Sequence, residues 1–105
     1  MTVPKGKTVF SQGDRADAIY FLQTGKVKVS VVSSAGKEAI LAMVGPHGFF
    51  GEGSLVGQSL RMSTVTVLES ATLFQIEKRA MLRAFHAEPD LSERFMASLL
   101  ERTTK

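Results

Sequence analysis

The sequence predicts a mainly β protein: a small antiparallel β-barrel or β-sandwich followed by one short and one longer helix. Two observations carry this reading. Through about residue 77, short β-prone runs alternate with glycine-containing turns. After it, the apolar residues change to a helical period. The chain has 105 residues, 44% of them hydrophobic, which is material for one domain with one core.

Lys7–Phe10 is a short β-prone run that stops at the turn cluster Ser11-Gln12-Gly13-Asp14. Ala18–Leu22 is apolar throughout, the pattern of a strand buried on both faces. Gly25 follows, and Lys26–Val31 then alternates polar and apolar like a half-exposed strand. Ser33–Lys37, with Gly36 near its end, reads as a hairpin loop, and Ala39–Val44 as the returning strand. Gly45-Pro46-His47-Gly48 breaks that strand. Gly51, Gly53, Ser54 and Gly57 argue against a long strand over 49–60 and leave room for a helical turn from about Glu52. Arg61–Val67 alternates again, and Leu73–Ile76 is the last strand. The domain therefore divides into a barrel over about 4–77, a short helix over 78–87 and a longer helix over 89–105.

Met81, Leu82 and Phe85 form the stripe of the short helix, and Leu91, Phe95 and Leu99 step by four along the longer one. Pro89 suits a first helical position, and Asp90 and Glu93 suit the positive end of the helix. With no C-cap glycine before Lys105, the helix is expected to run to the end of the chain. Its 17 residues would span about 25 Å, room for one or two heptads of pairing.

Several function classes are disfavoured. Thirteen basic against ten acidic side chains give a net charge of +3, and no block of like charge suggests a nucleic-acid arm. Without cysteine there is no disulfide framework, thiolate metal site or cysteine nucleophile. His47 and His86 have no second ligand at helical spacing, so no metal site is expected. The chain lacks a G-x-S-x-G elbow, a phosphate-binding Walker loop and the dinucleotide glycine spacing. A hydrolytic or redox enzyme is not expected. The apolar runs are short for a membrane span and no signal peptide opens the chain, so the expected location is the cytoplasm, away from membranes.

One segment carries chemistry: Phe49-Phe50-Gly51-Glu52-Gly53-Ser54-Leu55, then Arg61-Met62-Ser63-Thr64-Val65. Small residues let a ligand approach the backbone, and a helical turn from Glu52 would aim amides at an anion. Arg61, at the start of the next strand, offers a fork for two phosphate oxygens. Glu52 can accept from a sugar hydroxyl. Together these groups suit a sugar phosphate; the same residues equally allow a Glu52–Arg61 ion pair that merely closes a loop.

Phe50-Gly51-Glu52-x-Ser54-Leu55, five residues, then Arg61-x-x-Thr64-Val65 resembles the phosphate-binding cassette of the cyclic nucleotide-binding domain. The remainder agrees in order. Ser11–Asp14 resembles the family's first glycine turn, and Ile19–Val27 its second strand, glycine turn and third strand. Gly36–Leu41 is similar to the hairpin of the catabolite activator and fumarate–nitrate (Crp/Fnr) regulators in particular. The resemblance implies an eight-stranded antiparallel jelly-roll barrel with flanking C-terminal helices. It implies the effector-sensing domain of a bacterial transcription regulator, which is not an enzyme and needs no cofactor. Cyclic AMP is the candidate ligand. In such regulators the long helix forms a homodimer, and DNA is bound only by a further domain outside this chain. The ligand would meet Gly51, Glu52, Gly53, Ser54, Arg61, Met62 and Ser63, with Glu52 on the ribose 2′-hydroxyl and Arg61 on the cyclic phosphate. Two positions depart from the family. Gly53 stands where an apolar residue usually follows the glutamate. Met62 stands where a small or hydroxyl residue usually follows the arginine, so no preference for guanine is expected. The same barrel with a different effector, or with none, would serve as a protein-association module.

Overall fold

The computed structural model describes residues 1–102. Six strands and two α-helices follow one another: β1 (Thr2–Val3), β2 (Thr8–Phe10), β3 (Ala18–Val32), β4 (Glu38–Val44), β5 (Phe49–Phe50), β6 (Thr64–Glu77), α1 (Lys78–Ala87) and α2 (Pro89–Leu100). A five-residue 3-10 helix, Glu52–Val56, lies between β5 and β6, where the sequence predicts a helical turn. Every strand pairing is antiparallel.

The long strands β3 and β6 form the spine, paired from Ala18 opposite Glu77 to Ser30 opposite Thr64. Each changes its other partner part-way along. The first part of β3 pairs with β5, Tyr20 opposite Phe50, and its second part with β4, Val27 opposite Val44. The first part of β6 pairs with β2 and its second part with β1, Thr2 opposite Thr72. The strands expected on either side of Gly25 are thus one strand, as are those expected at Arg61–Val67 and Leu73–Ile76. Six described strands do the pairing work of the expected eight. Strand β1 also lies ahead of residue 4.

Side-chain periodicity explains why β3 stays continuous. Tyr20 and Leu22 point into the barrel, and so do Val27 and Val29. Alternation of period two cannot place both pairs inside unless the phase slips by one residue. The slip occurs where the register with β6 shifts, between Leu22 and Val27. Gly25 sits in this stretch at φ 94°, and a β-carbon there would lie 2.7 Å from Ala71 Cα and 2.8 Å from Glu69 O. Only glycine supplies both the left-handed backbone and the close approach.

The two faces of β3 serve two cores, so Ala18–Leu22 reads as continuously apolar. Tyr20 and Leu22 join Phe50, Val65, Val67 and Leu73 inside the barrel. Ile19, on the opposite face, packs with Phe49, Met81 and Phe95 beneath the helices. The ring of Phe95 lies 4.9 Å from Phe49 and 5.2 Å from Phe85, centroid to centroid. Pro89 occupies the first turn of α2 with Asp90, in keeping with the sequence. The helix stops at Leu100 rather than running on: Glu101 closes it through its N–H to Ala97 O. The remainder of the expected extension, residues 103–105, lies outside the described residues.

Gly25→Ala is expected to destabilise the fold by at least about 2 kcal/mol, because a left-handed backbone and a clash with neighbouring backbone act together. Urea denaturation provides the measurement. An unchanged midpoint would mean that the slip in β3 does not need glycine.

Candidate functional site

The 3-10 helix begins after Gly51, which has φ 78°, and ends at Gly57, whose N–H donates to Gly53 O. Phe49 and Phe50 hold its entry through β5, and the Ser54 side chain anchors its underside. Ser54 is buried, its hydroxyl 3.5 Å from both Ala18 O and Gly51 O. Six of the seven residues singled out in the sequence then line one cavity of about 470 Å³: Gly51, Glu52, Gly53, Arg61, Met62 and Ser63. Ser54 supports the wall from behind and does not line it. Phe10, Phe50 and Val65 supply apolar floor from the barrel core.

Arg61 lies three residues ahead of β6, in the connecting loop and not at the strand's start. Its backbone N–H donates to Asp14 O at 2.7 Å, and its carbonyl accepts from Gly13 N at 2.8 Å. The side chain is 5% exposed. Nη1 donates to Gly51 O at 2.9 Å and Nη2 to Ala18 O at 2.7 Å. The guanidinium carbon stands 4.1 Å from the centroid of the Phe10 ring, a cation–π distance. Nε is buried and has no partner among the described residues. Arg61 is therefore a buried cation held by carbonyl dipoles and an aromatic face, with no carboxylate on it among the described residues. Such a charge retains a strong affinity for an anion.

Glu52 does not pair with Arg61, which removes the loop-closing ion pair that the spacing allowed. Its partner is Arg102, just beyond α2. Arg102 Nη2 meets Glu52 Oε1, and Nη1 donates to Oε2 at 3.3 Å. The same Nη2 donates to Phe49 O at 2.6 Å. Phe49 N in turn donates to Ser98 Oγ of α2 at 3.1 Å. The end of α2 is thus fastened to the cassette on both sides of Phe49. Nothing local in the sequence marks Arg102, which lies 50 positions from Glu52. Phe10 and Gln58 also line the cavity, and the sequence alone gave no reason to choose them.

Arg61→Ala would take the guanidinium donors from the carbonyls of Ala18 and Gly51 and leave them only the long contacts of the Ser54 hydroxyl. An expected cost of about 2–5 kcal/mol follows from the loss of two buried charge-assisted hydrogen bonds. This exceeds what a purely ligand-facing arginine would show, and urea denaturation measures it. A loss below about 0.5 kcal/mol would mean that these hydrogen bonds do not hold the cassette.

Tyr20 reports on the same region. It is the chain's one tyrosine and there is no tryptophan. Its ring stacks on Phe50 at 5.2 Å. Burial raises the phenol pKa above its ordinary 10.0; the Arg61 charge opposes the rise and the Asp17 charge adds to it. The folded state holds the phenolic proton more tightly than the unfolded state. The resulting stability is complete below about pH 10 and is lost as pH climbs through the folded pKa. Phenolate absorbance should therefore emerge at higher pH in the folded chain than in urea. Emergence at the same pH in both would contradict the burial of Tyr20.

The sequence model of the cyclic nucleotide-binding domain matches residues 1–88. The CRP-like cAMP-activated global transcriptional regulator of Mycobacterium tuberculosis is 30% identical over 99 residues, 94% of this chain and 44% of the regulator. The global nitrogen regulator of a Synechocystis strain is 36% identical over 96% of this chain and 46% of its own length. The crystal structure of the Thermus thermophilus catabolite activator protein superposes with a TM-score of 0.82 at 30% identity, covering 95% of this chain and 47% of that one. The chain spans about half the length of the relatives it matches. The antiparallel strands, the two C-terminal helices and the match across residues 1–88 agree, and the chain belongs to the cyclic nucleotide-binding domain family, with its jelly-roll fold.

Proposed function

We propose that this chain is the effector-sensing domain of a Crp/Fnr-type transcription regulator, that it acts by binding rather than by catalysis, and that its cavity takes a cyclic nucleotide, cyclic AMP first among them. The observation that carries the reading is the buried guanidinium of Arg61, bonded to carbonyls, in the wall of a cavity that also holds the Glu52 carboxylate. One group suits a phosphate and the other a ribose hydroxyl, and both flank the same turn. In this reading Gly51 and Gly53 bring backbone close to the ligand, and Met62 and Ser63 border it. Kinship with a cAMP-activated regulator supports the nucleotide. DNA is contacted by a part of the regulator outside this chain, and a homodimer forms along the second helix, where Met96 and Leu100 are exposed one turn apart. No helix among the described residues is long and apolar enough to cross a membrane.

A specific observation favours a second reading, the same domain with another effector or none. Both charged groups of the cassette already have protein partners: Glu52 has Arg102, and the two Nη groups of Arg61 have Gly51 O and Ala18 O. A ribose on Glu52 must share it with Arg102 or displace it.

Calorimetric titration with cyclic AMP and cyclic GMP separates the readings. Cyclic AMP is expected to bind, with no preference for cyclic GMP. Arg61→Gln removes the charge yet keeps an amide donor for the carbonyls. It is expected to weaken cyclic AMP at least tenfold, since charge-assisted hydrogen bonds contribute about 1.5–3 kcal/mol each. No heat with either nucleotide, or an unchanged affinity in a folded Arg61→Gln chain, would favour the second reading.

A further inference from the structure

We infer that Gln58 is a ligand-contacting residue of this cavity, seated there by Gly53, and that its carboxamide donates a hydrogen bond to the phosphate of a bound cyclic nucleotide; the inference rests on the cyclic nucleotide reading above.

Two features that look unrelated in sequence meet in space. Gln58 lies just past the 3-10 helix, and its backbone N–H donates to Gly53 O at 3.2 Å. This bond folds the chain back over the turn. The side chain then lies directly on Gly53: a β-carbon there would come within 2.8 Å of Gln58 Cδ, and nearer still to Oε1. Gly53 does not have a left-handed backbone. Its lack of a side chain is therefore not explained by a conformational need; the room is taken by the Gln58 amide. The carboxamide is exposed and forms part of the cavity wall beside Glu52 and Arg61.

The chemistry of the wall gives the amide its task. Arg61 carries positive charge, but each Nη already gives one hydrogen to a carbonyl, and the buried Nε is without a partner among the described residues, so the fork is shared rather than free for a ligand. Met62, next along the chain, is 65% exposed at the rim, and its side chain has no donor. Gln58 and Ser63 are the uncharged side-chain donors in the lining. A phosphate drawn by the Arg61 charge needs donors for its oxygens, and Gln58 Nε2 offers two hydrogens without adding charge.

Titration of the 105-residue chain with cyclic AMP tests this, using Gln58→Ala, Gln58→Glu, Gly53→Ala and the Gly53→Ala/Gln58→Ala pair, with circular dichroism confirming the fold of each. Gln58→Ala is expected to weaken binding about fivefold to tenfold, the worth of one hydrogen bond. Gln58→Glu is expected to weaken it at least tenfold further, because it turns a donor towards the phosphate into a negative acceptor. Gly53→Ala should match Gln58→Ala, and should cost less than twofold once Gln58 is already alanine, since its effect passes through the displaced amide. Affinity unchanged within twofold in Gln58→Ala, Gln58→Glu binding as well as Gln58→Ala, or a Gly53→Ala penalty equally large in both backgrounds would each overturn the role of Gln58 while leaving the cyclic nucleotide reading intact. Absence of cyclic AMP binding by the unaltered chain, or binding that survives Arg61→Gln undiminished, would overturn that reading and this inference with it.

Discussion

The arrangement of the cassette depends on one buried cation. Arg61 ties three separate stretches of chain together. Its guanidinium holds the first residue of β3 through Ala18 O and the turn before the 3-10 helix through Gly51 O. Its main chain holds the Gly13-Asp14 turn from both sides. Burying a charge without a counter-charge is costly unless dipoles surround it. Two carbonyls and the Phe10 ring do so here, and a buried Nε without a partner among the described residues leaves the compensation incomplete. A single residue thereby both stabilises the closed turn and keeps an unspent attraction for an anion. In the proposed reading, a bound phosphate would share the guanidinium with the two carbonyls.

A second tie joins the helices to the same turn. Arg102 reaches from beyond α2 to Glu52 and to Phe49 O, and Ser98 accepts from Phe49 N. Phe49 also places its ring against Phe95 in the core beneath the helices. The backbone of β5 is therefore the shared element between barrel, cassette and α2. Glu52 is joined to the end of α2 by its ion pair with Arg102, and the neighbouring Phe49 backbone by one hydrogen bond each to Arg102 and Ser98.

How much of this is readable in the residues depends on distance along the chain. The apolar alternation of Lys26–Val31, the turn at Ser33–Lys37 and the helical stripes at Met81–Phe85 and Leu91–Leu99 are local patterns, and the structure places strands, turn and helices there. The helical turn after Gly51 follows from its glycines and appears as a 3-10 helix. What local patterns cannot show is whether a glycine ends a strand or lets it slip. At Gly25 the parity of the inward residues, Tyr20 and Leu22 against Val27 and Val29, held the answer. The cassette stood out through its glycines, glutamate and arginine, and six of its seven residues meet at the cavity. The partners of its two charges were not legible. Arg102 and Ala18 lie 50 and 43 positions from the groups they engage, and no periodicity links such residues.

The slip in β3 also determines where the chain can change its length. Between Leu22 and Val27 a single residue sets which face every later side chain of β3 takes. One residue more or fewer there would turn Val27 and Val29 to solvent and bring Lys26 and Lys28 towards the barrel interior, and the β4 pairing would have to be rebuilt. The Ser33–Lys37 hairpin loop is exposed, with few bonds to preserve beyond those within the turn. Insertions and deletions among functional homologues should therefore collect at the hairpin tip and avoid the middle of β3. For sequence alignment, Gly25 is a fixed point from which the two halves of the strand are to be counted separately.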